Sequence, residues 1–354
     1  MTSRTIVALS GGVDSAVAAL RLLQSGHDVE ALHMTNWTED EDGYCTAADD
    51  WQAARAVAEA LGIPIHRVSF AAEYRERVFA EFLAGYAAGL TPNPDVLCNR
   101  EVKFGACLEY VDRLGGDRLA TGHYARIAPH ASGPRLLRAV DANKDQSYFL
   151  QQMPRAALSR ALFPLGDLPK PEVRRLAREA NLPVAERPDS TGICFIGERP
   201  FRDFLSRYLP AAPGPILTAE GEEIGQHSGL MFHTVGQRGG LGIGGLKQHG
   251  DLPWYVAAKD RSRNALIVVQ GGEHPLLLTS TFRTTPLTWL TDPPDPQFAA
   301  EVQIRHRQTP VPAEVSWDAT GATVTVREPL RAVAAGQYAA LYQGDVCLGG
   351  AVIG

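Results

Sequence analysis

Through the first 200 residues, short runs of β-branched and aliphatic side chains alternate with longer stretches whose apolar positions return every three or four residues. The short runs predict strands over residues 5–9, 29–34, 65–70 and 118–121. Between the first two, Ala16, Ala19, Leu20 and Leu23 fall at i, i+3, i+4 and i+7, one face of a helix. Residues 73–88 and 102–114 read as helices in the same way. Strands alternating with helices predict an α/β domain, a doubly wound parallel sheet covered on both faces. The pattern changes after about residue 205. Pro210, Pro213, Gly214 and Pro215 mark a boundary, followed by short strands and many glycines. From about residue 275 strict alternation dominates, clearest in Glu301-Val302-Gln303-Ile304-Arg305 and Thr323-Val324-Thr325-Val326. Period two continued through the first of these puts Gln303, Arg305 and Arg307 on one face and Val302, Ile304 and His306 on the other. The expected organisation is a catalytic domain over residues 1–204, a small central domain over 205–274 and a C-terminal β-barrel over 275–354.

Composition changes this picture little. A chain of 354 residues suits two or three domains, and 45% hydrophobic with 21% charged residues supplies ordinary cores. The net charge is −6. Residues 201–354 hold 12 Lys and Arg against 14 Asp and Glu, a balance of −2, leaving −4 for residues 1–200. Any contact with nucleic acid must therefore come from a local basic surface. No apolar run approaches the roughly 20 residues of a membrane span, and the start does not read as a signal peptide. Five cysteines, odd in number and without a CxxC pair, suggest neither a disulfide framework nor a zinc site. The expectation is a protein of the reducing cytoplasm with no membrane partner.

The most informative segment is Ser10-Gly11-Gly12-Val13-Asp14-Ser15, between an expected strand and an expected helix. Its glycines permit a tight turn that brings backbone N–H groups to an anion, Ser10 and Ser15 add hydroxyls, and the helix adds its positive end. No lysine stands in a GxxxxGK[ST] arrangement, so this is not a Walker loop. Asp14 would repel phosphate unless Mg²⁺ lay between them. A plain glycine turn with a serine cap is the alternative; the order strand, loop, helix favours the phosphate loop. The segment resembles the pyrophosphate loop of ATP pyrophosphatases, a group that includes GMP synthetases, argininosuccinate synthetases and tRNA-modifying adenylases. That likeness implies cleavage of ATP between its α and β phosphates.

Two cysteines stand in conspicuous surroundings. Thr91-Pro92-Asn93-Pro94-Asp95-Val96-Leu97-Cys98-Asn99 places Cys98 at the apparent start of a helix, where a thiolate is favoured. Asp189-Ser190-Thr191-Gly192-Ile193-Cys194-Phe195-Ile196-Gly197 places Cys194 among turn formers. A lone cysteine is ordinarily a small buried hydrophobe, the reading applied to Cys107 and Cys347; Cys45 stays open. With these motifs stand Thr121-Gly122-His123-Tyr124-Ala125, Lys144-Asp145-Gln146-Ser147-Tyr148-Phe149-Leu150, Thr234-Val235-Gly236-Gln237-Arg238, Gln303-Ile304-Arg305-His306-Arg307-Gln308 and Cys347-Leu348-Gly349-Gly350. In that order they resemble the bacterial tRNA-specific 2-thiouridylases over essentially the whole chain.

The resemblance implies that ATP is held by Ala8, Leu9, Ser10, Gly11, Gly12, Val13, Asp14 and Ser15, with Met34 and Gly122. It implies that Asn93, Pro94 and Asp95 meet the target base, and that Lys144, Asp145, Gln146, Arg305 and His306 contact tRNA. In the implied chemistry the 2-oxygen of a uridine, expected at the wobble position, is adenylated. Cys194 takes sulfur as a persulfide from an upstream relay protein. Cys98 then attacks the persulfide, releasing sulfur to the base as 2-thiouridine and leaving a Cys98–Cys194 disulfide, with Asp95 shuttling protons. Two positions depart from the pattern: Ala53 where an acid is usual, and His306 where tyrosine is frequent. His123 is either a core histidine or a ligand contact, and Asp145 either a tRNA contact or a satisfier of backbone groups. The loop Gly236 to Gly250, with Arg238 and Lys247, is either a connector or a close approach to tRNA. A ligating ATP pyrophosphatase would not need two reactive cysteines, and a tRNA-binding or sulfur-carrier protein would not need the nucleotide loop.

Overall fold

A computed structural model of the chain describes residues 3–37, 47–189, 201–243 and 249–354. Strands β1 (Arg4–Ala8), β2 (Asp28–Thr35), β3 (Ile65–Ser69) and β4 (Arg118–Ala120) agree with the expected ones to within one residue at either end. A hairpin of β5 (Arg126–Ala128) and β6 (Arg135–Leu137) follows, and β7 (Ala161–Leu162) completes a sheet in the order β3-β2-β1-β4-β7. Every pairing in that sheet is parallel. The strand order reverses beside β1, between β2 and β4, which opens a crevice at the carboxyl ends of the strands.

Alternate side chains of β1 enter different cores. Ile6 and Ala8 pack with Tyr74, Phe82, Val102 and Val111 on one face. Val7 and Leu9 pack on the other with α1 (Val13–Gln24), α2 (Ala47–Leu61) and the helix Lys170–Glu179, through Ala16, Ala58 and Val173. Fully burying one such aliphatic side chain contributes about 1.5–3 kcal/mol, so both faces hold the sheet. This is the doubly wound arrangement the alternation predicts.

The helix that carries Cys98 starts eight residues before the expected 102, at Pro94. The Asn93 side chain accepts the Asp95 N–H at 3.1 Å and Pro94 occupies the first turn, a capped start worth about 1 kcal/mol. It runs through Pro94–Leu97, widens to π-type turns over Cys98–Ala106 and ends as Cys107–Arg113. Those wide turns break the 3.6-residue spacing, so the apolar pattern alone could not show its first half.

The helix Phe201–Ser206 sends Phe204 and Leu205 into the first core. A four-stranded sheet then forms in the order Trp254–Asp260, Ala265–Gln270, Gly214–Thr218, Glu223–His227, around Ile216, Val256, Leu266 and Val268. The remaining strands order as Leu278–Thr284, Gly321–Arg331, Val311–Asp318, Gln297–Gln303, Tyr338–Gln343 and Val346–Val352. A bridge between Thr284 and Ile353 closes them into a barrel. The N-terminal α/β unit reaches this barrel directly, since Leu137 of β6 pairs with Val346.

One sequence expectation fails here. The strand expected over 301–305 ends at Gln303, and Arg305, His306 and Arg307 lie in a turn, with Arg307 at φ +66°. Gln308 forces it: its side-chain oxygen accepts the Ile304 N–H and its carbonyl accepts from the Gln303 amide. The common face of Gln303, Arg305 and Arg307 therefore does not exist.

Candidate active site

Leu9 to Ser15 leave the end of β1 at the crevice. The Ser10 N–H and the Gly12 N–H donate to the hydroxyls of Ser15 and Ser10, at 3.1 and 3.3 Å, and Ser15 Oγ donates to the Gly12 carbonyl at 3.0 Å. Gly11 has φ +85°, and a Cβ there would stand 2.5 Å from the Asp50 carbonyl oxygen. A Cβ on Gly122 would stand 2.8 Å from the Ser15 nitrogen, so the end of β4 lies against the first turn of α1. No side chain caps α1, which leaves its first N–H groups facing outward. Ala8 to Ser15 and Gly122 after β4 thus meet at the carboxyl ends of the strands, with Met34 near the end of neighbouring β2.

Asp14 is already engaged. Lys170 Nζ donates to both its carboxylate oxygens at 2.7 and 2.8 Å, and the Tyr124 hydroxyl donates at 2.8 Å. Lys170, with a side chain 12% exposed, also lies 2.8 Å from Asp189, which meets Lys144 and Arg174 at 2.7 Å each. Burial pushes the Asp189 carboxyl up, but the Lys144 and Lys170 ammoniums outweigh it and hold it below the usual carboxylate range. Three cations thus serve two carboxylates beside the loop. Sequence spacing did not reveal Lys170, because 156 residues separate it from Asp14.

Cys98 departs from its expected environment. Five residues beyond the Asn93 cap and with no exposed surface, its thiol is pushed up to about 12 by burial, which outweighs the lowering by Lys103. Cys98 therefore lies one turn inside the helix rather than at its start, and burial opposes the thiolate that a helix start would favour. Asn36, just past β2, faces Cys98 Sγ with its Nδ2 at 4.0 Å. Cys107 and Cys347 are likewise buried and free, as their packing role requires. His123 is enclosed by Phe104 and Phe163 with its Nδ1 2.7 Å from Thr121 Oγ1, and burial holds its pKa well below 6.5. This is the core histidine of the two readings.

The residues expected at tRNA are largely occupied within the chain. Asp145 Oδ1 accepts the N–H groups of Ala139 and Ser147, and Gln146 accepts the Tyr124 N–H. His306 Nε2 donates to the Asp145 carbonyl at 3.1 Å and its ring lies 4.5 Å from Phe149. The Arg305 guanidinium donates to the Ala332 and Val235 carbonyls at 2.7 and 3.2 Å, tying the turn to the rest of the barrel and the central domain. Arg307 is exposed. Beside Asn93 and Pro94 lies a cavity of about 410 Å³, walled by Tyr86, Phe201, Met231, Phe232, Gln237 and Gln337 among others. Its walls come from all three domains, which is why spacing along the chain gave no sign of it. Cys194, Cys45 and Lys247 lie outside the described residues.

Residues 3–198 match the family described as "tRNA methyl transferase HUP domain", residues 202–270 the "tRNA methyl transferase PRC-barrel domain" and residues 279–353 the "Aminomethyltransferase beta-barrel domain". A curated relative from Chromohalobacter salexigens, named tRNA-specific 2-thiouridylase MnmA, is 54% identical over 99% of this chain and 92% of its own. One of the same name from Janthinobacterium sp. is 50% identical over 99% of this chain and 97% of its own. Solved structures overlay loosely; an NMN synthetase from Francisella tularensis covers 52% of this chain and 66% of its own at 19% identity and TM-score 0.33.

Proposed function

This chain belongs to the tRNA-specific 2-thiouridylase family, and on that premise we propose that it is a tRNA sulfurtransferase that consumes ATP to replace the 2-oxygen of a uridine with sulfur. The observation that carries the ATP-dependent part is the strand end shared by nucleotide and thiol. Met34, expected at the nucleotide, lies near the end of β2, and two residues later Asn36 lies beside Cys98. Adenylation at the crevice and release of the persulfide sulfur by Cys98, with formation of a Cys98–Cys194 disulfide, would then take place on groups joined by one strand end.

A uridine 2-oxygen is amide-like and leaves poorly; joined to AMP, with pyrophosphate departing, it leaves well. The uncapped first turn of α1 and the loop backbone from Ser10 to Ser15 would supply N–H donors where phosphoryl charge develops. Among the described residues no cluster of three or more His, Cys, Asp or Glu forms a metal cage. Asp14 would hold Mg²⁺ arriving with the nucleotide through its hard carboxylate oxygens, in exchange for part of its ion pair with Lys170. Such an ion would offset the charge of the leaving pyrophosphate. The cavity beside Asn93 and Pro94, rich in aromatic walls, suits an unstacked base. Cys194 would carry the persulfide delivered by the relay protein, and Cys98 would release its sulfur to the base.

The test combines nucleosides and nucleotides. With tRNA, ATP and a persulfide donor, 2-thiouridine should appear by mass spectrometry in proportion to AMP and pyrophosphate. Cys98→Ser should still load labelled sulfur at Cys194 yet form no thiolated tRNA, and Cys194→Ser should not load. Stoichiometric ADP and orthophosphate, or full thiolation by Cys98→Ser, would overturn the reading.

A further inference from the structure

The thiol of Cys98 has no exposed surface, and its helix begins too early for the positive end to act on it at short range. Something else must favour the anionic sulfur. Asn36 is 1% exposed, and its amide Nδ2 faces Cys98 Sγ at 4.0 Å. The other half of that amide, Oδ1, is buried without a hydrogen-bond partner. A buried amide carbonyl left unpaired costs about 1–3 kcal/mol, and an asparagine kept only to shape a loop ordinarily pairs it with a backbone N–H. Asn99, the residue after Cys98, donates its Nδ2 to the Phe149 carbonyl at 3.1 Å, and its Oδ1 is also unpaired.

We propose that Asn36 is a positioning residue for the sulfur chemistry, its amide N–H holding the Cys98 sulfur as an acceptor and so favouring the thiolate. The physical basis is asymmetric. A neutral thiol can donate or accept, whereas a thiolate can only accept, so a fixed N–H donor aimed at sulfur stabilises the charged form selectively. Asn36 also fixes where the sulfur stands, because it leaves the same strand as Met34 and ties that strand's end to the helix of Cys98. The unpaired Oδ1 remains for an N–H donor that arrives with the substrate. The inference deepens the proposed function, since it concerns the same thiol.

The experiment follows alkylation of Cys98 in the full-length chain by a small thiol reagent between pH 7 and 9, read by mass spectrometry of the Cys98 and Cys107 peptides. Asn36→Ala removes the donor. Asn36→Asp keeps the volume but replaces the donor with a negative charge. Cys107, equally buried in the same helix, reports how often that helix opens. Relative to it the Cys98 rate follows the thiolate fraction, so each unit of pKa rise cuts it tenfold and returns about threefold in nucleophilicity. Cys98 in Asn36→Ala should react at least about threefold more slowly at every pH, and Asn36→Asp more slowly still, with Cys107 unchanged. A purely structural role predicts the opposite sign, because a loosened core exposes both cysteines and speeds both. Unchanged or faster Cys98 labelling in variants that melt like the wild type would overturn the proposal. If Asn36→Ala fails to fold, Asn36→Asp decides it alone. Single-turnover thiolation is read in parallel: a wild type that makes no 2-thiouridine defeats the proposed function but leaves the labelling result standing.

Discussion

Asp14 is a residue whose chemistry was visible in the sequence and whose partners were not. Its place in Ser10-Gly11-Gly12-Val13-Asp14-Ser15 marks it as a loop carboxylate, and a carboxylate at a phosphate site needs a positive neighbour. The structure supplies Lys170, shared with Asp189. Asp14→Ala should cut pyrophosphate release at least about 100-fold, the scale for loss of a charge-organising group at a reacting phosphate. The check is pyrophosphate release with tRNA present; retained turnover would remove Asp14 from the site. Cys98 teaches the complementary lesson. Its motif named it as reactive, but the burial that raises its thiol comes from side chains distant in the chain.

At the level of elements, strong periodicity was legible and interrupted periodicity was not. β1 to β4 stand where alternating apolar runs predicted them. The first half of the helix from Pro94 was hidden by its proline-rich start and wide turns. The strand through Gln303 was extended too far, because the pattern still alternates while Gln308 turns the backbone. This changes which arginine should meet tRNA. Arg307 is the exposed one of the two and thus the candidate phosphate contact, so Arg307→Ala should weaken tRNA binding for all sequences and lower the salt slope by about 0.7–0.9. Arg305→Ala should leave that slope alone and instead cost stability, on the order of 1–3 kcal/mol, since two backbone carbonyls lose their donor. Salt titrations and urea melts of both variants separate the roles; a slope change confined to Arg305→Ala would reverse them.

Across the whole molecule, the site depends on how the barrel seats on the catalytic domain. The Thr91 N–H donates to the Ala335 carbonyl at 2.9 Å, and Gln337 Nε2 donates to the Thr91 carbonyl at 2.6 Å. Between these contacts Gly336 has φ +89°, and a Cβ there would stand 2.8 Å from the Thr91 nitrogen. Gly336→Ala should therefore push the barrel loop off the Thr91–Pro94 wall of the cavity. The expected outcome is tenfold or greater loss of thiolation, from an error of about 1 Å at a reacting group, with ATP affinity unchanged. Equilibrium nucleotide binding beside single-turnover thiolation checks this; equal loss of both would place the damage in the nucleotide crevice instead.

What the sequence by itself determined was local: the strand-loop-helix around Ser10 to Ser15, and the change to alternating strands in the C-terminal third. Each follows from backbone preference and side-chain period within a dozen or so neighbouring residues. What only the tertiary structure decided were the pairings across long separations. These are Lys170 on Asp14, Asn36 beside Cys98, Arg305 on Ala332 and Val235, and a cavity walled by three domains. A carboxylate, a thiol or a guanidinium announces that it needs a partner or a burial. Which distant group meets that need depends on how the sheets and helices stack, and that depends on the packing of both cores at once.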